Sequence, residues 1–227
     1  MFVAGASWKH AHPEAQVGFL IMRGVVNPAA HPELEASKRA LEADLRAQFS
    51  GLDRAALAAL APFPAYAAYY KRFKKTYHVQ SQLESIVHRD RPIPSVAALV
   101  EAMFMAEVKN GLLTAGHDLD RLQLPITVAA AAGAERYTLL RGQEQQATAG
   151  DMLMADQAGV ISSVIYGPDQ RTQINAATRN VAFAVYAPAG IAAEAVRAHL
   201  ADIRHYVRRV APDAEAQTPI ILSAAVA

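Results

Sequence analysis

The first sustained apolar run, Val17–Val26 (VGFLIMRGVV), is β-branched and ends at NPAAHP, which predicts a strand followed by a turn. The period then lengthens. From Pro32, PELEASKRALEADLRAQF sets Leu34, Leu41, Leu45 and Phe49 at helical spacing, with Gly51 as the stop. Short helices are predicted at 53–61 and 65–76. Another is predicted at 80–90, where Ser81 and Glu84 stand at capping-box spacing. Ser95 precedes VAALVEAMFMAEVKNG, a helix apolar nearly all round and therefore expected inside the fold, with Gly111 as its end.

After GHDLDRLQLP the pattern changes again. ITVAAAA, ERYTLL, DMLMAD, GVISSVIY and NVAFAVYAP are short apolar or alternating runs bounded by Gly, Pro, Asp or Asn, and they predict five strands. An amphipathic helix from about Ile191 to Val210 closes the pattern, and the tail after Pro212 is expected to be loosely held. A strand, then helices, then clustered strands and one more helix predict an α+β fold. With no repeat, linker or compositional break, the expectation is a single compact domain over residues 1–227, its core at about 8–210.

Composition narrows the chemistry. There is no cysteine, which excludes a disulfide framework, thiolate catalysis and zinc sites built on sulfur. The apolar runs fall well short of the roughly 20 residues that span a bilayer. The N-terminal stretch has no basic region ahead of an apolar core, so no secretory signal is read and a cytoplasmic, non-membrane protein is expected. A formal net charge of +1 supplies no overall field for nucleic acid, but KRFKK (71–75), HRDR (88–91) and RHYVRR (204–209) are locally basic. Solvated helix faces would explain such runs equally well.

Three polar constellations remain. In LLTAGHDLDRL, an extended backbone would point Asp118 and Asp120 the same way, as a metal pair requires. A loop in which the two aspartates bind backbone N–H groups, with His117 facing a cavity, accounts for the residues better. No metal or cofactor is expected. In YGPDQRTQI, a tight turn presents Asp169, Arg171 and Thr172 beside Tyr166. Arg suits a carboxylate or phosphate and Asp suits an amine, although a turn bearing solvated charges explains the same residues. In EVKNGLLTAG, Glu107, Asn110 and Thr114 close the apolar helix, either lining a pocket or capping. No P-loop, dinucleotide fingerprint, nucleophile elbow or HExxH is present.

Read in order, YYKRFKKTYHVQSQLESIVHRDRPIPSVAALVEAMF, LLTAGHDLDRL, GDMLMADQAGVISSVIYGPDQRT and ATRNVAFAVYAP resemble the B3/B4 domain of the phenylalanyl-tRNA synthetase β subunit, in its free-standing form. The likeness runs over about residues 8–210. It implies layered mixed sheets flanked by helices, binding of tRNA, and hydrolysis in trans of a mischarged aminoacyl-tRNA. On that resemblance Lys71, Arg72, Lys74, Lys75, Arg89 and Arg91 would meet phosphates. The pocket would draw on Asn110, Thr114, His117, Asp118, Tyr166, Asp169, Arg171 and Thr172, with no catalytic side chain singled out. Where the bacterial synthetase pattern has a histidine this chain has Ala115. Where it has two asparagines this chain has Ala97 and Phe104, and Asp169 stands near its glutamate. The resemblance therefore does not carry over an identical substrate. A binder or sensor of a free amino-acid-like molecule, with Arg171 on its carboxylate and Asp169 on its amine, is the alternative.

Overall fold

The computed structural model describes residues 2–225. The chain opens with β1 (Phe2–Ala4), α1 (Ala6–Ala11) and β2 (Gln16–Arg23). Five helices follow: α2 (Pro32–Phe49), α3 (Arg54–Ala58), α4 (Phe63–Lys71), α5 (His78–Arg89) and α6 (Ala98–Asn110). Then come β3 (Leu113–Asp118), a 3-10 turn (Leu119–Arg121), β4 (Ile126–Ala130), β5 (Arg136–Thr138), β6 (Glu144–Gln146), β7 (Met152–Asp156), β8 (Gly159–Ser163) and β9 (Gly167–Pro168). The order ends with β10 (Asn180–Ala187), α7 (Ala193–Val210), β11 (Glu215–Ala216) and β12 (Ile220–Ser223).

Besides a small two-stranded sheet, β5-β6, the strands form two layered sheets. One has the order β1-β4-β7-β8-β9, and the other is β11-β2-β10-β3, with β12 also paired to β2. The β1–β4 pair is parallel and the remaining ladders are antiparallel, so the architecture is α+β with mixed sheets. Central strands β2 and β10 are buried nearly end to end, which explains why their sequences are continuous apolar runs rather than alternating ones. The amphipathic α7 lays Val196, Leu200, Ile203 and Val207 against β2 and α6.

Helix α6 is buried as its composition predicts, and Gly111 ends it in the left-handed conformation (φ +70°). Its start is held from a distance, because Asn27 Oδ1 accepts from Leu99 N–H at 2.9 Å and Pro28 O accepts from Ala98 N–H at 3.0 Å. Lys38 of α2, itself buried, ties the two helices by donating to Glu101 at 2.8 Å and to Ser95 at 2.8 Å.

Three local expectations are corrected. The capping box at Ser81 does not form: α5 begins three residues earlier, Ser81 is inside it, and Glu84 pairs with Arg54 at 2.6 Å. The tail after Pro212 is not loose, since β11 and β12 add to the free edge of β2 and satisfy backbone groups that a solvated tail would leave to water. LTAGHD is not a loop but the edge strand β3, buried along its whole length.

One side chain completes the β3–β10 ladder. Tyr66 donates to Tyr186 O at 2.5 Å and accepts from Leu113 N–H at 2.9 Å, so its hydroxyl stands where a direct bond between strands would be. Removing it leaves a buried N–H and a buried C=O unpaired. Tyr66→Phe is expected to lower unfolding stability by roughly 2–6 kcal/mol, at about 1–3 kcal/mol for each of the two orphaned groups; urea denaturation followed by circular dichroism measures this.

Candidate functional site

The free edge of β3 and the β8–β9 end of the other sheet approach each other beneath α6. Between them lies a largely apolar hollow of about 570 Å³. Its walls are Met103 and Phe104 of α6, Ala115 and Gly116 of β3, and Ile165 and Ile174 from the segments on either side of β9. A Cβ at Gly116 would sit 2.7 Å from Ile174 Cδ1, so a side chain there would displace the end of Ile174 in the wall of the hollow.

The backbone of β3 presents one unclaimed pair of groups to this space. Residues 114, 116 and 118 turn their N–H and C=O away from β10. This follows because Thr114 N–H is bonded to Glu107 Oε1 at 2.8 Å and Asp118 N–H to Thr172 O at 2.8 Å. Gly116, between them, has no backbone partner on that side among the described residues.

The polar side chains of the hollow are buried and held. Glu107 is 2% exposed, and desolvation pushes its carboxyl up to about 8, against which only the Thr114 N–H bond works. Thr114 Oγ1 lies 2.7 Å from His199 Nε2, and burial drives that imidazole down to about 3. Asn110 does not face the hollow. Its amide lies 3.3 Å from His199 Nδ1 and donates to Asp202 at 2.9 Å, fixing α6 to α7. Ser163 accepts from Tyr137 OH at 3.2 Å and from Tyr166 N–H at 3.1 Å. At the rim, half-buried Tyr166 has its hydroxyl 2.7 Å from Thr148 and the Lys75 ammonium 5.9 Å from its ring centroid.

The bends at 117 and 170 meet directly rather than across open space. His117 Nδ1 is 2.7 Å from Thr172 Oγ1, which also bonds Asp169 Oδ1, and Thr172 N–H donates to Asp169 at 3.1 Å. His117 is buried behind this contact, its Nε2 unpartnered, and does not line the hollow. Burial, reinforced by the Arg171 charge, pushes its imidazole down to about 4. Asp118 is a backbone and hydroxyl anchor: it accepts from Asp120 N–H at 3.1 Å and from Thr178 Oγ1 at 2.7 Å. Asp120 is taken up by the Asn180 amide at 2.9 Å.

Asp169 and Arg171 border a different, polar depression of about 490 Å³, with Arg121 and Arg136. Gln173 lines both spaces, so they are neighbours. The Arg171 fork is already engaged, by Asp156 at 2.8 Å and by Arg121 O at 3.0 Å.

The six basic residues do not form one patch. Lys71, Arg72, Lys74 and Lys75 are exposed around the end of α4, where Arg72 rests on the Tyr69 and Phe73 rings at 5.6 and 5.5 Å. Arg72 borders a depression beside His12, away from the inter-sheet hollow. Arg89 sits in the last turn of α5. Arg91 lines a groove of about 490 Å³ that shares His78 and Phe104 with the hollow, and Lys75 lies over Tyr166 at its rim.

Sequence reasoning did not find His199, Ser163 or Tyr186. His199 hides on the apolar stripe of α7, and the two hydroxyl residues sit inside strands, so no local pattern distinguishes them.

The two depressed histidines set an acid limit. Both are neutral when folded and bind a proton near pH 6.5 when unfolded. At these two sites the unfolded chain takes up protons first as pH falls, and the stability they contribute above 6.5 is lost progressively toward about 4 for His117 and about 3 for His199. The Glu107 and Asp151 carboxyls, raised by burial to about 8 and about 6, add stability over the same fall in pH, so the histidine share is read by difference: the urea midpoint of wild type should fall relative to that of His199→Gln between pH 7 and about 4.

No helix is long and apolar enough to cross a membrane among the described residues. Among solved structures, the fold is similar to an N-terminal fragment of the phenylalanyl-tRNA synthetase β-subunit from Pyrococcus horikoshii, with a TM-score of 0.50 at 12% identity. The match covers 97% of this chain and 53% of that one, so this chain spans about half the length of the structure it matches. No curated protein matches the sequence. A family model described as the B3/4 domain matches residues 64–218. That span includes α6, β3 and the β7–β10 region, the elements that enclose the hollow, and by it the chain belongs to the B3/4 domain family.

Proposed function

We propose that this chain is a tRNA-associated domain whose inter-sheet hollow receives the aminoacyl end of a mischarged tRNA and hydrolyses its ester in trans. The observation that carries the reading is a deep, apolar-walled hollow with a buried polar floor, flanked by the exposed cations Lys75 and Arg91, in a B3/4 family member. Its fold is similar to that of a synthetase subunit fragment.

Aminoacyl esters are activated, so hydrolysis asks mainly for positioning and for a donor to the developing oxyanion. The unpaired Gly116 N–H on the β3 edge is such a donor. Thr114 and Tyr166 supply hydroxyls, while Phe104 and Ile174 take an apolar side chain. His117, Asp118, Asp169 and Thr172 act through the fold of that edge. Lys71, Arg72, Lys74, Lys75, Arg89 and Arg91 contact tRNA phosphates, with Lys75 and Arg91 closest to the acceptor end.

The second reading, a non-catalytic binder of a small amino-acid-like molecule in the same hollow, draws on the net charge of only +1. A thermal-shift panel of free amino acids separates the two, since a tight ligand raises the melting point without RNA.

Two outcomes are expected. Affinity for bulk tRNA falls as salt rises, and Lys75→Ala with Arg91→Ala reduces the slope of log K against log salt by about one for each residue. In a screen of mischarged tRNAs, Tyr166→Ala and Gly116→Ala slow deacylation by about ten-fold or more, the loss of roughly 1.4 kcal/mol of transition-state binding. Loss confined to Arg171→Ala would move the site to the neighbouring polar depression.

A further inference from the structure

Resting on the reading that the inter-sheet hollow is the ligand site, we propose that Glu107 is its charge filter: a neutral carboxylic acid that donates a hydrogen bond to ligands whose own carboxyl is masked as an ester or amide, and that turns away free carboxylates.

The geometry comes first. Glu107 projects from α6 into the hollow, which it lines, and is otherwise sealed from solvent. One carboxyl oxygen is spent on Thr114 N–H at 2.8 Å, and no hydrogen bond to the other is found among the described residues. The rest of the lining is apolar walls, the hydroxyls of Thr114, Ser163, Tyr166 and Tyr186, the Gln173 amide and the His78 imidazole at the rim. Among the described residues no lysine or arginine lines the hollow. An anionic ligand would therefore meet a carboxyl with no cation to compensate it, while a neutral carbonyl would meet donors. Burying an unpaired carboxylate beside a second one is among the costlier arrangements a protein can make.

The titration agrees. With its carboxyl pushed up to about 8, Glu107 is mostly protonated at neutral pH and available as a donor. The groups packed around it do not titrate in the same window. Tyr66, Tyr77 and Tyr70 are driven upward by burial, and His199 behind Thr114 is neutral down to about 3. His78, at the rim, is held below its ordinary value by desolvation against Tyr70 and Tyr77. Lys109 is on the outer side of α6, paired with Asp202 at 2.7 Å. A loss of ligand binding between neutral pH and about 9.5 that Glu107→Gln abolishes would thus report Glu107 rather than Tyr166.

The probes are the N-acetyl amides of leucine, methionine and phenylalanine against the corresponding N-acetyl acids, so that amino-group titration is absent. Binding is measured by calorimetry on the whole chain near neutral pH and at about 9.5. Wild type should bind at least one amide about ten-fold or more tighter than its acid, and lose about ten-fold or more of that affinity at the higher pH. Glu107→Gln, which keeps shape and a donor, should bind the amide with no pH fall, while Glu107→Leu should lose it; thermal melts confirm folding. Acids bound as tightly as amides, no amide bound, or the same pH fall in Glu107→Gln would each overturn the proposal. Deacylation of tRNA by a hollow that binds acids and amides alike would keep the proposed function and remove the filter. Selective amide binding without deacylation would keep the filter and remove the hydrolase.

Discussion

A buried sheet edge has to have its backbone groups answered, and the free edge of β3 is the place where this fold meets that requirement unevenly. Glu107 answers the N–H of Thr114 and the carbonyl of Thr172 answers that of Asp118, while Gly116 between them faces a hollow. The rest of the architecture holds this arrangement in place. Helix α6 brings Glu107 over the edge, the 169–172 bend brings Thr172 up to it, and Tyr66 closes the opposite edge against β10. With glycine at position 116, Ile174 packs directly over the strand as part of the wall.

The same constraint explains the perturbed ionisation. Glu107, His199 and His117 are stripped of water, and each shifts toward its uncharged form, His117 with the Arg171 charge adding to the effect. A floor of neutral hydrogen-bonding groups inside apolar walls discriminates by charge and by the placement of one carbonyl, rather than by Coulomb attraction. On the proposed function, attraction of tRNA falls to Lys75 and Arg91 outside, where solvent screens it and long-range steering is its natural use.

Much of the fold was legible along the chain. Leu34, Leu41 and Leu45 marked α2, Gly111 marked the end of α6, and the apolar NVAFAVYAP marked β10 to within a few residues. The edge strand β3 was not, because its polar end (His117 and Asp118) mimics a loop; it is a strand because Glu107 and Thr172 satisfy its outer edge, and neither contact has a local signature. The Ser81–Glu84 spacing was misleading for a related reason: Arg54, some thirty residues earlier, claims the glutamate. Within the site, sequence order brought out Thr114, Tyr166 and the closing polar residues of α6. It could not separate the apolar hollow from the polar depression that Asp169 and Arg171 border, since the two share only Gln173.

The central claim is that the open backbone position at Gly116 is where an acyl carbonyl is held. The most direct measurement is the amide resonance and hydrogen exchange of Gly116 as a non-hydrolysable 3′-aminoacylamino-adenosine is added to the isotope-labelled chain. Slowed exchange and a large shift at Gly116, with Ala115 and Ile165 moving beside it, is the predicted result. An unmoved Gly116, with the changes gathered at Arg121, Arg136 and Arg171, would contradict the account.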